Sequence, residues 1–166
     1  MTLEEFNALS IESALEHLKS CCTSVNWQKE VAKARPYQTL EEFYSSQEKT
    51  WLSLTKEDFL EAFDGHPKIG DVSSLKKKYA HTKDLASGEQ SGVDSASDEV
   101  IQELSVLNHE YELKFGFIFI VCATGKSALE MLNLLKERIH NSQEDELVIA
   151  AGEQAKITKI RLEKLL

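Results

Sequence analysis

The chain has 166 residues, 42% hydrophobic and 28% charged, with a formal net charge of −9. That is enough chain for one folded domain with its own core, and the negative charge excludes non-specific binding to nucleic acid or anionic membrane. Three cysteines, the adjacent Cys21 and Cys22 and the distant Cys122, give neither a disulfide framework nor zinc spacing and fit a reducing, cytoplasmic setting.

The first ten residues, MTLEEFNALS, are acidic and carry no basic, apolar leader pattern. Ser10 then precedes a helical stripe of Ile11, Ala14, Leu15 and Leu18. Asn26 can cap a short helix bearing Trp27 and Val31, which Pro36 predicts to end near Arg35. Residues 39–42, TLEE, have capping-box spacing ahead of Leu40, Phe43, Gln47 and Trp51. Residues 55–58, TKED, open a helix with Phe59, Leu60 and Phe63 on its apolar side, stopping at Gly65. Asp71 or Ser73 can cap a short helix after the HPKIG corner. The polar stretch 81–97 reads as a linker or functional loop. Val100, Leu104, Leu107, Tyr111 and Phe115 recur at three and four residues, predicting a helix from about Ser97. Ser127 starts another, and a last helix runs from about Gln143. The run FGFIFIVCA has strand propensity but no partner run, so it reads as a buried turn joining helices; it is too short to span a bilayer. The expected fold is all-α: one domain, 1–166, an irregular bundle of seven or eight helices.

Several residues invite chemistry. Pro67 restricts His66 to extended backbone, and Gly65 can end the preceding helix in a left-handed cap. An imidazole on so stiff a corner suits a general acid or base, or else a corner histidine bonded to a carbonyl. Glu89 and Gln90 lie between Gly88 and Gly92, in a stretch that can approach a ligand closely or simply face water; Ser87 adds a hydroxyl. Arg161 flanks the apolar stripe of the last helix, where a guanidinium needs an anion, either an internal Glu or a substrate carboxylate. Lys76, Lys77 and Lys78 read as a solvated face that, with Lys68, raises the potential near the His66 corner.

Other motifs fail. TGKS at 124–127 lacks the upstream P-loop glycine, whose place Ile120 takes. The five histidines show no metal spacing, and no G-x-S-x-G elbow is present.

Taken together, RPY (35–37), HPKIGD (66–71), SGEQSG (87–92), LNHEYELKFGFIFIVCATGKS (107–127), ERIHNSQEDEL (137–147) and KITKIRLEKL (156–165) resemble the 2-oxo-4-hydroxy-4-carboxy-5-ureidoimidazoline (OHCU) decarboxylases of urate breakdown. The resemblance covers nearly the whole chain. It implies an all-α homodimer that decarboxylates a small anionic substrate to (S)-allantoin with no metal and no organic cofactor. By motif position it implies His66 and Glu89 as the catalytic pair and Arg161 as a substrate anchor. Pro67, Ser87, Gln90 and the segment Phe117, Ile118, Phe119 and Ile120 would bind substrate. Lys68 and Ile69 depart mildly from the family pattern. The ending EKLL is not the peroxisomal tripeptide of many eukaryotic members, which points to a cytoplasmic, bacterial-type enzyme. The rival expectations are a non-catalytic helical interaction module and a decarboxylase or hydrolase of another ureido acid.

Overall fold

The computed structural model describes the backbone of residues 1–68, 70–86 and 93–166, and their side chains outside 80–97. The described residues form helices and no strand: α1 (Leu3–Ala8), α2 (Ile11–Cys21), α3 (Val25–Lys33), α4 (Leu40–Leu52), α5 (Lys56–Asp64), α6 (Val72–Ala86), α7 (Val93–Phe115), α8 (Ala128–Arg138) and α9 (Gln143–Leu165). They fall into two compact units, Met1–His66 with Leu147–Leu166, and Pro67–Glu146. Among them no helix is long and apolar enough to cross a membrane.

In the first unit, α3 packs on α2, α4 and α5. Helix starts follow local chemistry. Ser10, Thr39 and Thr55 each accept a hydrogen bond from the backbone N–H three residues on, satisfying one of the donors that a helix N-terminus leaves open. Phe6, Leu18, Trp27, Val31, Phe43, Phe63 and Leu162 are fully buried. Burying a large apolar side chain of this kind contributes about 1.5–3 kcal/mol. Phe6 and Tyr37 meet Phe43 edge-on at 5.6 and 5.1 Å. The indole N–H of Trp51 reaches the Ala151 carbonyl at 3.1 Å, tying α4 to α9. Arg35 donates to the Phe6 and Leu9 carbonyls at 2.7 and 3.0 Å, closing the C-terminus of α1.

In the second unit, α7 packs against α6 and α8. Asp71 caps α6, accepting from the Ser74 N–H at 3.1 Å. Ser127 and Glu130 form a reciprocal capping box on α8. Ile101, Leu104, Tyr111, Phe115, Met131, Leu132 and Leu135 are buried.

Four expectations are corrected. The described helices number nine, because α1 exists; Thr2 and Glu5 cap each other's backbone N–H and stabilise six residues that carry only one buried side chain, Phe6. α3 is capped by Ser24, while Asn26 donates to Asp58 at 2.7 Å instead. The polar stretch 81–97 is helical at both ends, as α6 continues to Ala86 and α7 starts at Val93. Gly65 is right-handed, with φ −73°, so no left-handed cap forms. Its missing side chain serves close approach: a Cβ there would lie 2.1 Å from Thr23 Oγ1.

Candidate active site

His66 follows that Gly65 corner. Thr23 donates through its hydroxyl to the Glu61 and Ala62 carbonyls at 3.0 and 3.3 Å, closing the last turn of α5. The His66 N–H then donates to the Phe63 carbonyl at 3.1 Å. The backbone leading into the imidazole is therefore fixed, and His66 itself is half-buried. Its Nε2 stands 2.5 Å from Gln154 Oε1. An amide oxygen only accepts, so Nε2 carries a proton.

Gln154 lies on α9, 1% exposed. Its amide nitrogen donates to Thr158 Oγ1 at 3.1 Å. Burial pushes the nearby Cys22 thiol up to about 11, against the opposing pull of Ser24, Thr158 and the charge of Arg161. Burial likewise raises Cys21. Both stay protonated at neutral pH, which makes them poor nucleophiles. Arg161, one turn beyond Thr158, is half-buried and donates through Nη1 to the Cys21 carbonyl at 3.1 Å. The partner expected from sequence was a carboxylate. Among the described residues it is this carbonyl in the last turn of α2, where a cation also suits the helix dipole.

In the second unit, residues 116–127 leave α7 through Gly116 at φ +78°, a conformation that glycine adopts without strain. Phe117 and Ile120 are buried, Ile118 and Phe119 half-buried. Arg138, at the end of α8, holds this segment. Its Nη1 donates to the Ile120 carbonyl at 2.7 Å, and its guanidinium lies 4.5 Å from the Phe119 ring centre. Nε donates to Glu146 Oε1 at 2.7 Å. Nη2 is 2.5 Å from the same oxygen, in ion-pair range but without hydrogen-bond alignment. Glu146 is fully buried; its Oε1 also accepts from the Tyr111 hydroxyl at 2.5 Å and its Oε2 from Asn141 at 3.0 Å. Burial, and then the hydrogen bond to Glu146, push the Tyr111 phenol far above its ordinary value.

Of the residues predicted from sequence, His66 and Arg161 fall in the first unit, and one face of α9 serves both: Gln154 meets the former and, seven residues on, Arg161 projects from the same side. Pro67, exposed, and Phe117–Ile120 belong to the second unit. Ser87, Glu89 and Gln90 lie outside the described residues. Lys68 does not leave its charge unopposed beside the corner; it pairs with Glu112 at 2.5 Å, and Lys76 faces Asp98 at 3.8 Å. Sequence reasoning missed Gln154, Thr158, Arg138 and Glu146. A signal existed for the first two: they are polar residues on the apolar stripe of α9, the criterion that selected Arg161.

The comparisons agree with this architecture. The family model for OHCU decarboxylase matches residues 7–163. A uric acid degradation bifunctional protein of Arabidopsis thaliana is 36% identical over 95% of this chain, which spans 48% of that relative. A similar bifunctional protein of a Bacillus strain is 27% identical over 99% of this chain, which spans 32% of that relative. A 2-oxo-4-hydroxy-4-carboxy-5-ureidoimidazoline decarboxylase of Haloferax volcanii is 24% identical, covering 98% of this chain and 94% of its own. A crystal structure of OHCU decarboxylase in the presence of (S)-allantoin superposes with a TM-score of 0.71 at 36% identity, over 90% of this chain and 96% of the other. With an all-helical fold and a family model that runs almost end to end, the chain belongs to the OHCU decarboxylase family.

Proposed function

We propose that the chain decarboxylates 2-oxo-4-hydroxy-4-carboxy-5-ureidoimidazoline to (S)-allantoin, as a cytoplasmic homodimer and without metal or organic cofactor. The observation that carries this is the 36% identity, over nearly the full length of both chains, to an OHCU decarboxylase crystallised in the presence of (S)-allantoin.

The substrate accounts for the absence of a cofactor motif. Its carboxylate sits on a carbon next to a ring C=N. When the C–CO₂⁻ bond breaks, its electron pair moves into that imine and the ring nitrogen takes the negative charge. The 4-hydroxyl then gives up its proton as C4 becomes a carbonyl, C5 gains one from a single face, and the ring nitrogen takes another from solvent. Orientation and proton handling are what remain for the protein. In this reading Arg161 anchors the anion with the N–H groups it does not spend on Cys21. His66, with Glu89, takes up the 4-hydroxyl proton. Ser87, Gln90, Pro67 and the Phe117–Ile120 segment hold the ring and its ureido arm.

The test is to mix purified protein with freshly generated substrate and follow the circular dichroism of the allantoin formed. Enzymatic (S) product, formed faster than the racemate of spontaneous decay, supports the proposal; a racemate at the spontaneous rate rejects it. His66→Asn and Glu89→Gln should each lower turnover about 10²-fold or more while retaining helicity.

A further inference from the structure

We infer that Gln154 is a positioning residue for His66: its amide fixes which imidazole nitrogen bears the proton, so that the ring works as an Nε2–H tautomer with its base at Nδ1. The inference rests on His66 acting in the reaction proposed above. It stands on the geometry of Gln154.

Gln154 is almost fully buried, and both ends of its amide are committed. The oxygen meets His66 Nε2 at 2.5 Å, and the nitrogen donates to Thr158 Oγ1 at 3.1 Å. Thr158 is itself only 2% exposed. The run His66, Gln154, Thr158 thus has a direction, with each N–H donating one step further into the core. A carboxylate in place of Gln154 would also accept from Nε2, but it would bury a charge with no cation of its own. An amide orients the ring without that cost.

The helix adds a second constraint. Gln154, Thr158 and Arg161 stand at i, i+4 and i+7 on α9, two turns that span about 10 Å. One rigid element therefore aims the imidazole through Gln154 and carries the guanidinium directly. Arg161 is steadied in turn by the Cys21 carbonyl.

The experiment reads the tautomer itself, by two-bond ¹H–¹⁵N correlation of the His66 ring in labelled full-length protein, above the ordinary imidazole titration range. The wild type should show Nε2–H. Gln154→Met, which keeps the side-chain length, should show a mixture and lose about tenfold or more in kcat with KM little changed. Gln154→Glu should retain Nε2–H, since a carboxylate also accepts. An Nδ1–H wild type would overturn the inference even if Gln154→Met failed to fold. So would Gln154→Met with unchanged tautomer and unchanged kcat. A wild type with the Nε2–H ring but no decarboxylase activity would instead reject the proposed function and leave the role of Gln154 as the orienter of this ring intact.

Discussion

Each unit of the molecule buries a polar cluster, and the two are built on opposite principles. In the first, Thr158 and Gln154 form a neutral chain that ends on a half-buried imidazole. In the second, Arg138, Glu146 and Tyr111 form a charged knot whose free arm grips the Ile120 carbonyl. A neutral chain can be weakened at one link without leaving a bare charge. A buried ion pair cannot, because removing either partner strands the other in a medium that does not solvate it. The neutral cluster is therefore suited to orienting a ring, and the charged one to fixing backbone.

The largest expected effect separates the two directly. Arg138→Met should cost about 3–5 kcal/mol, because Glu146 is left buried and unopposed. Gln154→Met should cost about 1–3 kcal/mol, the penalty for stranding neutral donors. Urea denaturation midpoints at constant slope measure both. Adding Glu146→Gln to Arg138→Met should recover part of the loss. Equal costs for Arg138→Met and Gln154→Met, with no recovery in the double variant, would remove the distinction between the clusters.

Much of this was legible in the sequence where the determining contacts are local. Ser10, Thr39, Thr55 and Ser127 act within three residues of themselves, and each caps the helix it was expected to start. The start of α9 near Gln143 was equally readable. The misses have non-local causes. Ser24 and Asn26 are both good caps, and what separates them is α5, whose Asp58 claims the Asn26 side chain. Gly65 looked like a left-handed cap because nothing nearby in sequence announces that Thr23 will press against it. His66 and Arg161 could be singled out by backbone restriction and helical position. Their partners, Gln154 and the Cys21 carbonyl, lie 88 and 140 residues away along the chain, and no spacing rule reaches so far.

A smaller effect tests how well the core of the first unit seals its thiol. Cys22 keeps its proton to about 11 when folded, against an ordinary 9.0. Below pH 9 both states are protonated and the contribution is whole. Between about pH 9 and 11 the unfolded chain releases the proton while the folded one holds it, so stability falls as pH rises. The full loss is about 3 kcal/mol at 1.36 kcal/mol per unit. Tyr37 and Tyr111 are raised as well and act in the same direction. The quantity to measure is therefore the wild type minus Cys22→Ala, which isolates the thiol. A flat difference across this range would mean that Cys22 is not sealed from solvent.

Within the charged knot, Tyr111→Phe removes one hydrogen bond to Glu146 and leaves the ion pair, the ring packing and the Ile120 contact in place. About 2 kcal/mol is expected, the value of a hydrogen bond to a charged group. That is well short of the loss for Arg138→Met, and thermal unfolding can rank the two.

The smallest effect lies at the far end of the segment that Arg138 holds. Ser127 caps α8 at the surface, accepting from the Glu130 N–H at 3.2 Å while Glu130 accepts from the Ser127 N–H at 2.7 Å. Ser127→Ala should cost about 1 kcal/mol, since water can take over the exposed donors. If the Arg138 knot is what fixes Phe117–Ile120, the loss at Ser127 stays confined to the first turn of α8. Hydrogen exchange can follow this locally: Ser127→Ala should speed exchange at the α8 N-terminus and spare the amides of residues 117–120. Faster exchange across the whole segment would transfer the holding role from the buried guanidinium to the exposed cap, and the contrast between the two clusters would then have to be drawn elsewhere.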